Sequence, residues 1–423
     1  MSTKPDNSSQ DTISFKASHG RGQHLRDLLK SRILVLDGAM GTAIQDLDLT
    51  PEAFGGEKYE GCNEHLVLTR PELIEKIHVD YLKAGSDIIE TNTFGGTPFV
   101  LDEYDLGKHC FEINEKAAQI ANRAVSKVAT PTTPRFVAGS IGPTTKAITV
   151  TGGISFEDLK KAFRAQIEGL LAGGVDYLLL ETCQDTRNVK AALLAADEVF
   201  KAHQIEVPIA VSGTIEPMGT MLAGQGVEAL YTSLEHRDLL YLGLNCATGP
   251  SFMTDHIRSL SQLCRFPIAC VPNAGLPDED GNYLESPTIV AQTLKGFIDQ
   301  KWLNLVGGCC GTTPKHIQAL HKIVEGATPR TPIEVKRSAL SGIDYLEVTD
   351  EMRPIIVGER TNVIGSRKFK RLIQEGALDE AGEIARAQIK KGAHIIDVCL
   401  ANPDRDEMKD MRTFLEATIQ KIK

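Results

Sequence analysis

FEDLKKAFRAQIEGLLAGGVDYLLLET (156–182) holds the fold in miniature. Its first nineteen residues place apolar side chains at spacings of three and four, which gives a helix one buried face. A Gly-Gly pair ends that helix. DYLLLET (176–182) then reads as a short strand with both faces buried, as in a parallel sheet. The same alternation runs outward in both directions. The β-rich runs are ILVLD (33–37), DIIET (87–91), FVAGSIG (136–142), DYLLLET (176–182), VPIAVSGT (207–214), YLGLNCA (241–247), PIACVPN (267–273) and LNLVGGCCG (303–311). Helical patterns between them include PELIEKIHVDYLKAG (71–85) and SPTIVAQTLKGFIDQK (286–301). Strand and helix alternating eight times predict an α/β fold, a (β/α)8 TIM barrel over residues 25–326. An open doubly wound sheet would call for G-x-G-x-x-G after the first strand, and DGAMGT (37–42) lacks that spacing.

Residues 1–24 are polar with no apolar core, so they read as a disordered leader and not a secretory signal. Residues 327–354 carry prolines and no sustained period, and read as a linker. IIVGERT (355–361), a helix over about 368–391, HIIDVCL (394–400) and a last helix from about 404 predict two further βα units over 355–423. Two parallel strands cannot close, so this is an incomplete second βα barrel.

The net charge of −10 disfavours nucleic acid as a partner. Only one Trp and eight Tyr are present, and no basic-aromatic stripe offers stacking to bases. No apolar run reaches transmembrane length, so no membrane partner is expected. Nine irregularly spaced cysteines suit a reducing, cytoplasmic compartment. Cys110, Cys183, Cys264 and Cys270 lie in apolar or helical surroundings and read as small hydrophobes.

In a TIM barrel the chemistry gathers at the C-terminal ends of the strands. Those ends carry Asp37, Glu90–Thr91–Asn92, Ser140, Glu181–Thr182, Ser212, Asn245–Cys246, Asn273 and Cys309–Cys310. GGCCGTTP (307–314) is the sharpest signal. Neighbouring residues of a regular strand face opposite ways, but Gly307, Gly308 and Gly311 allow a turn that brings both thiols inward. Cys246 would complete a three-thiolate face suited to Zn2+ with one open position, and a sulfur ligand would suit that position. Spacing alone equally allows a buried cysteine pair at a tight turn. Asp37 and Glu181 could hold an ammonium, or serve as a turn cap and a backbone acceptor. Glu90 reads as a supporting carboxylate. Gly38, Ala39 and Met40 offer backbone N–H groups to a carboxylate. Asn92, Asn245 and Asn273 read as turn or supporting residues, with Asn245 also counted among the substrate contacts. His65, His78, His109, His236, His256, His316 and His321 form no H-x-x-x-H or H-E-x-x-H pair and read as ordinary polar residues.

VLDGAMGT (35–42), ETNTFGG (90–96), ETCQDT (181–186), LNCATGP (244–250), PNAGLP (272–277) and GGCCGTTP (307–314) together resemble the homocysteine methyltransferase superfamily. The resemblance is to the homocysteine-binding domain of the cobalamin-dependent methionine synthases. VGERTNVIGSRKF (357–369) resembles the start of the folate-binding domain of those enzymes. The resemblance implies Zn2+ on Cys246, Cys309 and Cys310, with homocysteine sulfur at the fourth position. It implies ammonium contacts from Asp37 and Glu181. It further implies methyl transfer from methylcobalamin to give methionine, with 5-methyltetrahydrofolate as the methyl source. Glu359, Arg360, Asn362 and Asp397 match the front of the folate barrel. The sequence departs from the pattern at Cys399, where many relatives carry Asn, and contains no D-x-H-x-x-G cobalamin loop. A cobalamin-carrying domain or subunit is therefore an expected partner. Two alternatives remain: a self-sufficient methyltransferase using S-methylmethionine or another onium donor, and a non-enzymatic zinc-binding or redox-sensing scaffold.

Overall fold

The computed structural model describes residues 20–419, 421 and 422. The expected leader lies outside the described residues as far as 19. Residues 21–24, assigned to that leader, instead form the first turn of a helix, Arg21–Ser31. Two interactions explain this. Leu25 and Leu29 share one face and are fully buried, and Arg21 pairs with Asp176, its Nη2 lying 3.0 Å from Oδ2.

Eight parallel strands follow: β1 (Leu34–Val35), β2 (Ile88–Glu90), β3 (Phe136–Ile141), β4 (Tyr177–Cys183), β5 (Ile209–Gly213), β6 (Leu239–Asn245), β7 (Ile268–Val271) and β8 (Leu305–Val306). The hydrogen-bonded order is β1-β8-β7-β6-β5-β4-β3-β2. A parallel bridge between Leu36 and Ile88 joins the two ends, and Asp87 N–H donates to Val35 O at 2.7 Å. The sheet thus closes into the expected (β/α)8 barrel.

The helix Phe156–Gly173 shows why the crossovers form. Ser155 caps it by accepting the N–H of Asp158, and Gly174 ends it at φ +89°. Leu159, Phe163, Ile167 and Leu170 line its buried stripe. Side chains alternate along each strand. Val35, Ile89, Val137 and Leu178 face the helices. Leu34, Ile88, Phe136, Ala138, Tyr177, Leu179, Ala210 and Tyr241 pack together with Leu25 and Leu29 of the first helix. That second set is the barrel interior, with the first helix as its floor. Inside it, Tyr177 Oη and Tyr241 Oη are 3.0 Å apart.

The chain divides into two compact units between Val335 and Lys336. Within the segment expected to be plain linker, β9 (Ala339–Ser341) and β10 (Tyr345–Glu347) pair antiparallel. Gly342 N–H donates to Asp344 O across their turn. The strands have three residues each, too short for a period to show. In the second unit β11 (Val357–Asn362) and β12 (Ile395–Cys399) pair in parallel. The single helix expected over about 368–391 is two, Arg367–Glu375 and Leu378–Lys390. Gly376 breaks it at φ +71°, its N–H closing on Ile373 and Leu372 carbonyls. The last helix is Glu407–Ile419. Phe369, Leu372, Ile373, Leu400 and Phe414 form the core of this unit. No helix among the described residues is long and apolar enough to cross a membrane.

Candidate metal centre and carboxylate cluster

Strand parity decides what the barrel mouth contains. Glu90, Ser140, Glu181 and Ser212 continue the inward-facing sets that begin at Ile88, Phe136, Tyr177 and Ala210. Asn245 continues the set of Tyr241.

The three expected cysteines meet. The sulfurs of Cys246, Cys309 and Cys310 all lie within 4.8 Å of one another. Cys246 Sγ and Cys310 Sγ are 3.8 Å apart. Two sulfurs bound at roughly 2.3 Å to one tetrahedral ion stand about 3.8 Å apart. Regular strand ends at Val306, so the Cys309–Cys310 pair sits in a turn and escapes alternation. Cys309 N–H donates to Pro272 O at 2.8 Å, and Ala274 N–H to Cys310 O at 2.9 Å. Cys246 and Ala247 adopt φ of 61° and 55°, the left-handed region. Backbone held there at a cost of about 1–3 kcal/mol per residue is characteristic of functional sites. Hydrogen bonds from Cys246 and then Cys309 hold the Cys310 thiol far below its ordinary value, at about 3. The hydrogen bonds it shares with Cys246 and then Cys310 push Cys309 well up. One sulfur of the three is thus favoured as thiolate.

Asn245 is engaged in full. Its Oδ1 accepts Thr182 N–H at 2.9 Å and Ser212 Oγ–H at 2.7 Å. Its Nδ2 donates to Thr182 Oγ1 at 2.7 Å and lies 4.0 Å from Cys309 Sγ. It orients a sulfur and has no amide hydrogen aimed elsewhere. Asn273 is 2% exposed and its Oδ1 has no partner, although its neighbours Pro272 and Ala274 bond the backbone of the cysteine pair. A buried amide oxygen without a donor beside three thiols suits a bound cation.

Asp37, Glu90 and Glu181 form a second cluster. Asp37 is 2% and Glu181 7% exposed. The Asp37 carboxylate accepts the N–H of Glu90 at 3.1 and 3.2 Å. Glu181 accepts a short hydrogen bond from Ser140 Oγ. Burial lifts all three. Glu181 rises to about 7, while Asp37 and Glu90 go well above the carboxylate range, Glu90 also through the charge of Glu181. No basic side chain among the described residues pairs with any of them. A cation bound here would favour their ionised forms.

The Gly38–Met40 turn is anchored to the cysteine loop. Ala39 N–H donates to Thr312 Oγ1 at 3.3 Å, and Tyr81 Oη donates to both Ala39 O and Thr312 O at 3.1 Å. A Cβ on Gly38 would stand 2.8 Å from the Tyr81 ring. Asn92 Nδ2 bonds Asn63 O and so supports a loop.

Three roles escaped the sequence reading. Thr312 ties two loops together, and Tyr283 packs on Gly311 of the cysteine loop. His316 is no ordinary polar residue. Its Nδ1 accepts Thr313 N–H at 3.1 Å and its Nε2–H donates to Glu285 O at 3.0 Å. His78 departs as well, being fully buried with both ring nitrogens unpartnered. Nothing in a periodicity distinguishes such histidines.

In the second unit, Glu359, Arg360 and Asp397 are exposed on β11 and β12. Asn362 turns its side chain on its own loop, Oδ1 accepting the N–H of Ile364 at 2.8 Å and of Gly365 at 3.0 Å.

Residues 34–324 match the family model described as homocysteine S-methyltransferase. Residues 358–423 match the model described as pterin binding enzyme. Among solved structures, the chain is similar to the homocysteine methyltransferase MmuM from Escherichia coli. The metallated form is 24% identical, with a TM-score of 0.58 over 70% of this chain and 99% of that one. The oxidized form is 24% identical, with a TM-score of 0.58 over 72% and 99%. At this identity the likeness is one of fold.

Proposed function

Since the chain belongs to the homocysteine S-methyltransferase family, we propose that its first unit holds Zn2+ on Cys246, Cys309 and Cys310 and presents homocysteine for methylation to methionine. The observation that carries this reading is the 3.8 Å approach of Cys246 and Cys310, residues brought from strands β6 and β8. When bound, Zn2+ supplies a fourth position that holds a thiol substrate deprotonated and nucleophilic.

The protein's own groups account for recognition of the rest of the amino acid. Glu181, fixed by Ser140, and Asp37, fixed by Glu90 N–H, receive the ammonium, and that charge favours their ionised forms. The Gly38–Met40 turn receives the carboxylate. Met40 opens a short helix, Met40–Gln45, so its N–H has no intrahelical acceptor. Asn245 works through Cys309 and Thr182, as a positioning residue rather than a substrate contact.

As methyl donor we propose methylcobalamin, carried by a further domain or subunit and recharged from 5-methyltetrahydrofolate. Two observations support this. The second unit matches a pterin-binding model, with Glu359, Arg360, Asn362 and Asp397 on its strands. Phe94, Met218, Leu222, Phe252, Leu276 and Leu284 are exposed, and all lie between the end of a strand of the first barrel and the α-helix that follows it. Met218 is 84% exposed. An apolar rim of this kind suits a macromolecular carrier better than a small free donor.

The test is methionine formation by the zinc-loaded chain from homocysteine and methylcobalamin supplied in solution. Turnover is expected, and Cys246→Ala should abolish both turnover and stoichiometric zinc. Turnover with S-methylmethionine alone would reassign the donor. Zinc binding without transfer from either donor would sink the reading.

A further inference from the structure

The sheet ends unevenly at the mouth, and the repair of that edge reaches the carboxylates. Strand β2 stops at Glu90, whose register partner on β3 is Ala138, while β3 runs on to Ile141. Thr91 N–H still donates to Ala138 O at 2.9 Å, and the chain then folds back, with Thr93 N–H on Thr91 O at 2.8 Å. In a parallel ladder the N–H and C=O of one residue face the same neighbour. Ser140, two residues beyond Ala138, therefore directs both groups at a strand that is no longer there.

Two hydroxyls replace it. Ser140 N–H donates to Thr91 Oγ1 at 3.0 Å, and Thr93 Oγ1 donates to Ser140 O at 2.7 Å. The two hydroxyl oxygens are 2.6 Å apart. A hydroxyl has one hydrogen. That of Thr93 is committed to Ser140 O, so Thr91 is the donor between them. The result is a closed ring that runs from Ser140 N–H through Thr91 and Thr93 back to Ser140 O. From the helix Phe156–Gly173, Gln166 Nε2 donates to Thr93 O at 2.7 Å and holds the ring from behind. Thr91, Thr93, Ser140 and Gln166 are all buried, none more than 3% exposed. The residue held on both sides in this way is the one whose Oγ donates to Glu181 Oε1.

We propose that Thr93 is a positioning residue for homocysteine, acting through Ser140 to aim the Glu181 carboxylate at the substrate ammonium. The inference rests on the reading that Glu181 receives that ammonium. A binding group keeps its geometry to about 0.5 Å only when the residues behind it are themselves locked, and the hydroxyl ring is the lock on Ser140.

The test titrates the full zinc-loaded chain calorimetrically with homocysteine and with its deamino analogue, a mercaptobutanoate that keeps the thiol and the carboxylate. Thr93→Val preserves the shape of the side chain and removes the hydroxyl. It should weaken homocysteine about tenfold and leave the analogue within about twofold of wild type. Thr93→Ser, which keeps the hydroxyl, should retain wild-type affinity. Thr91→Val opens the same ring at its other hydroxyl and should give the same selective loss, which decides the matter where Thr93→Val does not fold. Ser140→Ala should reproduce that loss, and Thr93→Val should add nothing to it. Equal losses for both thiols in Thr93→Val, or losses that add across Ser140→Ala and Thr93→Val, would overturn the role. A wild-type chain with no preference for homocysteine over the analogue would overturn the ammonium reading itself, and this proposal with it.

Discussion

Single side chains in this protein are held by conditions that can be altered one at a time. Gly311 is the clearest case. A methyl group there meets Tyr283 and demands a left-handed residue with a Cβ. Gly311→Ala should cost about 1–3 kcal/mol in urea unfolding and lower bound zinc, read by metal analysis of the purified variant. His78 responds to pH. Burial without a partner depresses its pKa from 6.5 to about 4. The folded state thus binds the proton more weakly than the unfolded chain. The stability it permits is complete above pH 6.5 and is lost as pH falls toward 4, about 3 kcal/mol in all. His78→Leu should flatten that stretch of the stability-against-pH curve, and an unchanged slope would refute the assignment. Glu181 has the opposite sign. Its raised value, about 7, means the carboxylate ionises only as pH rises through neutrality. Binding of homocysteine to the zinc-loaded chain should tighten over that interval, and Glu181→Gln should weaken binding and remove the dependence, both measurable by titration calorimetry.

Among the elements, the strands repeat one device at the end away from the mouth. The residue just before a strand turns its side chain onto the first N–H groups of the strand before it. Asp87 accepts from Val35 N–H at 3.0 Å, Asp176 from Val137 N–H at 2.8 Å, and Asn304 from Ile268 N–H at 3.0 Å. Asp87 also takes Arg32 at 2.8 Å and Arg135 at 3.0 Å. Asp87→Ala would strand these donors and should cost roughly 3–5 kcal/mol in denaturant unfolding. The eight strands and their helices were legible in the sequence, because burial on both strand faces and on one helix face writes itself as composition and period. The second-unit helix was overrun at Gly376 because its apolar spacing continues across the break and only the left-handed turn marks it. The three cysteines were legible as residue types at strand ends, and their convergence was expected from the barrel. The left-handed backbone through which Cys246 reaches the others was not, since no cysteine announces it. The seat of Tyr283 on Gly311 was invisible for a related reason: it depends on contact between two loops distant in the sequence.

For the molecule as a whole, the boundary between Val335 and Lys336 makes a prediction of its own. Glu334, Val335 and Lys336 are all exposed. Limited trypsin digestion should cut early after Lys336, and the zinc should remain with the larger fragment. Loss of zinc on that cut would show that the first unit does not hold the metal by itself. The tyrosine pair inside the barrel bears on the order of events. Tyr177 lies four residues, about 13 Å, further down β4 than Glu181, and below it Leu25 and Leu29 shut the shaft. On the function proposed above, the acceptor's site is therefore closed from below and reached only from the mouth. Homocysteine would then have to descend before its donor is seated, and methionine would leave only once the donor had withdrawn. Steady-state kinetics should show a compulsory sequence with the amino acid leading, and high donor concentrations should slow turnover by covering the mouth before the site is filled.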